Sequence, residues 1–358
     1  MLDLSFLLDK DAFSFDNIRK RAIYKELLPQ LVKHHYDNCL DYKKMLDVQS
    51  YDLSISILED IPFLPVSLFK KYELKSMLDL DVYKVLKSSG TTGQNVSKIY
   101  LDKNNAALQQ KVLLKIVSDF CQITRNPMLI LDTSETIKNR LNFSARSAAI
   151  LGFSLFGTDK CFAFDNDFKL DLSAVNLFLE KHRGKQIMLF GFTFIVWKYL
   201  YKQLVMQGIK LDLSDCILIH GGGWKKLKDE AVSNTEFKSS LKKQTSLKNI
   251  YDYYGMAEQT GSIYLECSEG HLHCSIFSEI IIRNATDFSE CNIGEIGIVQ
   301  VVSLLAQSYC GHSLLTEDLG KLIGIDDCKC GRKGKYFNIT GRVEKSDDRG
   351  CSDTYEFN

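Results

Sequence analysis

Between Lys87 and Lys98 the chain runs Lys-Ser-Ser-Gly-Thr-Thr-Gly-Gln-Asn-Val-Ser-Lys, with two glycines, five hydroxyl side chains and a lysine at each end. Such a loop can turn backbone N–H groups inward, set hydroxyls beside them and add a cation, and all three suit a polyphosphate. It is not a Walker A loop, which needs a glycine directly before the lysine and a Ser or Thr after it; Lys98 follows Ser97 and precedes Ile99. Taken alone, the stretch reads equally well as a solvated hairpin loop.

Further along, His220-Gly221-Gly222-Gly223-Trp224 offers backbone that a flat ring or a phosphate can approach closely, with Trp224 available for stacking. A tight strand-to-helix turn is the competing reading. Tyr254-Gly255-Met256-Ala257-Glu258 sets an aromatic able to cover a purine, a glycine for clearance and a carboxylate able to hold Mg²⁺; a merely solvated carboxylate is the alternative. Thr316-Glu317-Asp318-Leu319-Gly320 and Gly341-Arg342 add an acid for ribose hydroxyls and a guanidinium for phosphate. Cys267-Ser-Glu-Gly-His271-Leu-His273-Cys274 and Cys328-Lys-Cys330 have spacings that can close a tetrahedral Zn²⁺ site of three thiolates and one imidazole. Strand alternation aims His271 and His273 to one face, so His271 and Cys274 are substitute ligands, and reduced, partly buried cysteines are the other reading.

The elements that must position these groups follow from periodicity. Asp81–Leu86 and Lys98–Leu101 read as strands, so the glycine loop joins strand to strand. Residues 1–80 read as mostly helical, with Ile18, Ala22, Ile23, Leu27 and Leu31 at helical spacing before Pro62 and Pro65 intervene. The adjacent His34 and His35 read as surface residues. Asn104 is a candidate cap for a helix to Phe120. Strands at 128–131, 161–164, 186–190, 216–220 and 249–253 then alternate with helices at 145–150, 173–182, 194–206 and 225–241. That alternation implies right-handed crossovers and a largely parallel sheet. Ligands in such sheets sit beyond the carboxyl ends of the strands, where the turn after Phe190, the glycine run and the Tyr254 segment all fall. Phe190-Gly-Phe-Thr-Phe194 is the candidate wall of a substrate pocket, with an ordinary buried segment as the alternative. From about residue 262 the pattern becomes hairpin-like, with strands at 278–283 and 295–305, as in an antiparallel subdomain.

Of 358 residues, 45% are apolar and 25% charged, ordinary values for a globular protein. Lys plus Arg and Asp plus Glu each number 45, which gives no bulk electrostatic drive toward nucleic acid or an anionic membrane. The N-terminus lacks a basic leader and the longest apolar run, 187–197, is about half a membrane span. The expectation is a cytoplasmic protein with no membrane span and no nucleic-acid partner. Eleven cysteines without an export signal argue against a disulfide framework.

Taken in order, Ser88-Ser89-Gly90-Thr91-Thr92-Gly93 with Lys98, the glycine run, Tyr254-Gly255-Met256-Ala257-Glu258, Thr316–Gly320 and Gly341-Arg342 resemble the motif series of the adenylate-forming superfamily of acyl and aryl ligases. Within it the chain looks most like the LuxE-type acyl-protein synthetases, with phenylacetate-CoA ligases as nearer cousins than luciferases. The resemblance implies an α/β fold of the N-terminal adenylating type, mostly parallel sheets with flanking helices plus a smaller antiparallel β subdomain. It divides the chain into a helical layer (1–80), a nucleotide-binding core (81–261), a β-rich subdomain with a zinc site (262–340) and a truncated hinge with acceptor tail (341–358). It also implies roles: Ser88 to Gly93 on the ATP phosphates, Gly222 and Gly223 along the adenine, Tyr254 stacked on it with Gly255 and Met256 beside, Glu258 on Mg²⁺, Asp318 on the ribose, Arg342 on a phosphate or ribose oxygen, and Cys267, His273, Cys328 and Cys330 on a structural Zn²⁺.

The chain departs from the pattern at Ala257, where most superfamily members carry threonine. Only 8 residues follow Gly350, so the mobile C-terminal domain with its adenylation lysine is expected to be absent, leaving Lys98 and the loop with more of the phosphate charge. LuxE-type enzymes load a cysteine near their C-terminus, and Cys351 matches it; a thioester conserves much of the adenylate's activation. The function implied is a ligase that activates a carboxylic, most readily a fatty, acid and loads Cys351, then a partner such as a fatty acid reductase or a carrier. An acyl- or aryl-CoA ligase and a non-catalytic nucleotide-binding assembly subunit are the alternatives.

Overall fold

The computed structural model describes residues 2–88, 96–138, 145–224 and 230–343. It comprises two compact units, one formed by the described residues of 1–122 and 255–347, the other by those of 123–254.

After a single helical turn at Ser5–Leu8, the first unit continues with a long helix, Asn17–Asn38, whose N-terminus is capped where the Asp16 side chain accepts from Arg19 N. Its buried face carries Lys20, Tyr24, Leu27, Leu28, Leu31, Val32 and His35, whereas Ile18 is 81% exposed. The inward stripe is therefore rotated from the one that apolar spacing predicts. Lys20 can turn inward because Glu279 lies 3.1 Å from its ammonium, a partner that no hydropathy pattern reveals. His35 corrects the surface reading of the histidine pair: it is fully buried, with Nδ1 2.7 Å from Ser76 Oγ and Nε2 3.0 Å from Ala306 O, and its ring stacks on His312. A second helix, Leu40–Val48, follows, and beyond it residues 51–83 are irregular, with single 3₁₀ turns and the short strand β1 (Leu64–Pro65) in place of further helix. Pro62 and Pro65 remove the N–H donors that a helix there would need. Strands β2 (Lys84–Lys87) and β3 (Lys98–Leu101) pair antiparallel, with Lys87 opposite Lys98, so the glycine loop does join strand to strand. The helix Lys103–Cys121 is capped by Asp102, which accepts from Asn105 N at 2.7 Å, and not by Asn104.

The second unit holds the parallel strands β4 (Asn126–Thr133), β5 (Gly157–Phe164), β6 (Ile187–Phe192), β7 (Cys216–Gly221) and β8 (Asn249–Tyr254) in the order β8-β7-β6-β4-β5. Helices at Ala145–Phe153, Leu172–Lys181, 193–206 and Asn234–Thr245 form the crossovers, the third containing a π turn at Val196–Tyr201. The last starts later than periodicity predicts because Ser233-Asn-Thr-Glu236 is an N-terminal signature, with Glu236 N donating to Ser233 Oγ. Residues 225–229 lie outside the described set. The buried ion pair of Asp132 and Arg146 lies between the end of β4 and the helix Ala145–Phe153.

Back in the first unit, β9 (Tyr264–Glu266), β10 (Leu272–His273), β11 (Ser278–Arg283), β12 (Ile296–Ser303), β13 (Ser313–Ile325) and β14 (Lys335–Arg342) run in the order β11-β12-β13-β14-β10-β9, all neighbours antiparallel. This is the antiparallel region that the sequence leads one to expect. Among the described residues no helix is long and apolar enough to cross a membrane.

Candidate active site and thiolate–imidazole centre

In the first unit the glycine loop is closed at its root by two bonds between Ser88 and Ser97. Ser88 N donates to Ser97 O and Ser97 N donates to Ser88 Oγ, both at 3.0 Å. Ser89, Gly90, Thr91, Thr92 and Gly93 lie outside the described residues. Lys98, the cation expected at the phosphates, has its ammonium 3.6 Å from Glu73, which also accepts from Tyr100 OH at 2.6 Å and from Lys75 at 3.2 Å. With Lys98 48% exposed, such a pair is worth little and yields readily to a polyanion.

Glu258 sits on the 3₁₀ turn Ala257–Gln259 and is buried. Burial pushes its carboxyl above the usual carboxylate range, while the adjacent Ser97 hydroxyl and the charge of Lys70 pull the other way and Glu317 pushes with burial. A buried carboxylate held against its own desolvation suits a site that receives a cation. Asp318 and Arg342 face one another across the β13–β14 pair, with Nε 3.2 Å from Asp318 Oδ1 and Nη2 3.1 Å from Glu317 Oε2. The Thr316 hydroxyl fixes the bend that presents them: it donates to Val299 O at 2.7 Å and accepts from Asp318 N at 3.1 Å.

In the second unit β7 and β8 are adjacent and parallel, so the glycine run and Tyr254 emerge side by side at their carboxyl ends. Gly221 has no room for a side chain, since a Cβ would lie 2.5 Å from the Tyr253 ring, and Gly222 then turns the chain at φ +80°. His220 is buried, with Nδ1 3.0 Å from Thr193 Oγ1 and 3.6 Å from Asp252; burial pulls its imidazole down to about 3, so the ring is neutral. Trp224, offered for stacking by the sequence, packs edge-on against Trp197 and Phe237. Phe190 and Phe192 are fully buried, and Phe190 stacks on Phe153 at 4.2 Å, so these two rings belong to the packed core; Phe194 is half-buried.

The cysteine and histidine segments meet in the first unit. One ligand atom from each of Cys267, His273, Cys328 and Cys330 lies within 4.8 Å of all the others. Cys267 and Cys328 sulfurs are 3.9 Å apart, and Cys330 Sγ is 3.3 Å from His273 Nε2. A tetrahedral Zn²⁺, with bonds of about 2.3 Å to sulfur, sets its sulfurs roughly 3.8 Å apart, so the donor set and its spacing fit that ion. Burial, helped by Arg332 and His271, pulls His273 down to about 3 and leaves it the neutral base a metal requires. Burial also pushes Cys328 up to about 12 and raises Cys267; at Cys330 it is outweighed by hydrogen bonds from Arg332 N and neighbouring groups, and that thiol falls below its ordinary value. The two substitutes are turned elsewhere. His271 Nδ1 accepts from the Asn338 amide at 3.1 Å, and Cys274 is buried beside Glu279. Cys351 lies outside the described residues.

Glu73, Ser97 and Gln259 were not legible as site residues. Nothing in the pattern around Glu73 marks it, Ser97 is one hydroxyl of the glycine loop with no role of its own in the pattern, and Gln259 adjoins a motif without belonging to one.

The family model described as "Acyl-protein synthetase, LuxE" matches residues 2–357. A long-chain-fatty-acid–luciferin-component ligase of Aliivibrio fischeri is 23% identical over 359 residues, covering 98% of this chain and 92% of the relative. Its counterpart in Vibrio harveyi is 25% identical over 345 residues, covering 92% and 87%. Among solved structures, 2-hydroxyisobutyryl-CoA ligase in an open conformation with 2-HIB-AMP and CoA is similar at a TM-score of 0.72, with 13% identity, 93% of this chain and 77% of that chain covered. The fold is thus that of adenylate-forming ligases, and the chain belongs to the LuxE acyl-protein synthetase family of ligases.

Proposed function

We propose that this protein uses ATP to activate a long-chain fatty acid as its acyl-adenylate and passes the acyl group to a thiol, first that of Cys351 and then that of an acyl-accepting partner. The observation that carries the reading is the acyl-protein synthetase match across residues 2–357. The substrate class follows the relatives, which are named as ligases of long-chain fatty acids to a luciferin component.

In the first step a carboxylate oxygen attacks the α-phosphorus in line; the bond to the bridging oxygen breaks and pyrophosphate departs. Catalysis is positioning and charge neutralisation. Lys98 gives up its weak pairing with Glu73 for the phosphates, beside Ser88 and the loop residues Ser89 to Gly93. Gly222 and Gly223 leave the adenine its clearance, with Tyr254 as the stacking ring. Asp318 accepts from the ribose hydroxyls, and Arg342, held beside Asp318 and Glu317, meets a phosphate or ribose oxygen. Mg²⁺ supplies neutralisation of the phosphate charge when bound, and Glu258 is the side chain that would hold it. In the second step the Cys351 thiolate attacks the acyl carbonyl, the C–O bond to AMP breaks, and a thioester remains. The zinc centre takes no part in either step; it ties the 267–273 hairpin to the 328–330 loop.

The test is acylation with radiolabelled fatty acid and ATP. The account predicts hydroxylamine-sensitive labelling of the wild-type chain that Cys351→Ser abolishes while pyrophosphate exchange persists. Unchanged labelling in that variant would remove Cys351 as acceptor, and label released only when coenzyme A is added would identify an acyl-CoA ligase instead.

A further inference from the structure

Glu258 lies on a short turn, and a short turn cannot by itself fix a buried carboxylate. The Ser97 hydroxyl lies beside the carboxylate, and the turn that carries it is anchored by the next residue. Gln259 is buried, and its amide Nε2 donates to two backbone carbonyls of a distant segment, Val301 O on β12 at 3.0 Å and Gly311 O at 2.8 Å. Both of its protons are therefore used on fixed backbone acceptors. Gly311 completes the contact from the other side: a Cβ there would meet Glu258 O at 2.6 Å and the Tyr309 ring at 2.3 Å. Just beyond the turn the chain is tied to β12 once more, where Ser262 Oγ and Ser303 Oγ lie 2.6 Å apart.

We infer that Gln259 and Gly311 form a clamp that positions Glu258 for the catalytic divalent cation, Gln259 by its paired donors and Gly311 by the absence of a side chain. The inference rests on the reading of Glu258 as the Mg²⁺ ligand and names positioning residues for it. Groups that hold a metal ligand in position typically carry about 10–100-fold of metal affinity. Neither residue touches nucleotide or acid in this account, so their loss weakens the cation's hold without altering the affinity for free carboxylic acid.

The test uses Gln259→Met, which keeps the side chain's length and removes both donors, in the full-length protein. Mn²⁺ binding is followed by electron paramagnetic resonance with a non-hydrolysable ATP analogue present, and the Mg²⁺ dependence of pyrophosphate exchange is measured beside it. The clamp predicts Mn²⁺ affinity and half-saturating Mg²⁺ both weakened by about tenfold or more, with the KM for the acid unchanged. Wild-type Mn²⁺ affinity in a folded Gln259→Met protein overturns it. Should that variant fail to fold, Gly311→Ala carries the same two outcomes. Glu258→Gln separates the layers: if it binds Mn²⁺ like the wild type, the cation role of Glu258 falls and the clamp with it; if it alone loses Mn²⁺, only the clamp falls.

Discussion

Asp318 and Arg342 stand directly opposite each other on antiparallel strands β13 and β14, with Arg342 Nε 3.2 Å from the Asp318 carboxylate. Two motifs separated in sequence are thus one structural unit. Arg342→Ala is expected to lower acid-dependent pyrophosphate exchange by about 10²-fold, the usual cost of deleting one preorganised donor. Arg342→Lys should recover little of it, since a point charge lacks the planar fork. Steady-state kinetics on both variants checks this; wild-type rates in Arg342→Lys would mean that charge alone suffices.

The four-ligand cluster predicts about one zinc per purified chain by elemental analysis, with Cys330→Ser losing most of it. Chelation should lower the thermal midpoint of the wild-type protein and leave that of the variant unmoved. Metal-free protein with an unchanged melt would dispose of the centre.

His220, His35 and His312 are fully buried, and burial pulls all three below the ordinary histidine value, His220 and His312 to about 3. Because the unfolded chain takes up these protons near pH 6.5 and the folded one does not, stability is full above that pH. For His220 and His312 it is lost as pH falls toward 3, at about 1.4 kcal/mol per pH unit each. Denaturant midpoints should therefore drop steadily from pH 7 to pH 5, and His312→Asn should flatten that slope. A slope identical in wild type and variant would contradict the assignment.

Arg146 and Asp132 form a buried pair with almost no exposure, in which Arg146 Nε donates to Asp132 Oδ2 at 2.8 Å and the Thr136 hydroxyl donates to Oδ1 at 2.6 Å. Arg146→Met leaves that carboxylate uncompensated and should cost about 3–5 kcal/mol of unfolding free energy. Adding Asp132→Leu should return part of the loss. Denaturation of the single and double variants measures both, and an unaltered single variant would refute the pairing's role.

The alternation of strands and helices made the second unit's parallel sheet legible, because each period was long and its central strands β4, β6 and β7 are buried almost throughout. The Cys267-x5-His273 and Cys328-x-Cys330 spacings made the meeting of these four side chains legible, because thiolates and an imidazole at such intervals can converge on one point. What stayed hidden depended on partners far away in sequence. Lys20 turns inward only because Glu279 awaits it, His35 because Ser76 and Ala306 do, and Gln259 acquires its purpose from Val301 and Gly311. Local signals also misplaced helix starts, where Asp102 and Ser233 cap in place of the residues that periodicity favoured.

Activation of a carboxylic acid at the expense of ATP underlies every step of the proposed mechanism. Its most direct measurement is exchange of labelled pyrophosphate into ATP by the purified protein across a panel of short, aromatic and long-chain acids. Exchange should require both acid and Mg²⁺, be strongest with long-chain fatty acids, and be lost in Glu258→Gln. Absence of acid-dependent exchange across the whole panel, in protein shown to bind ATP, would contradict it and identify a nucleotide-binding subunit without turnover.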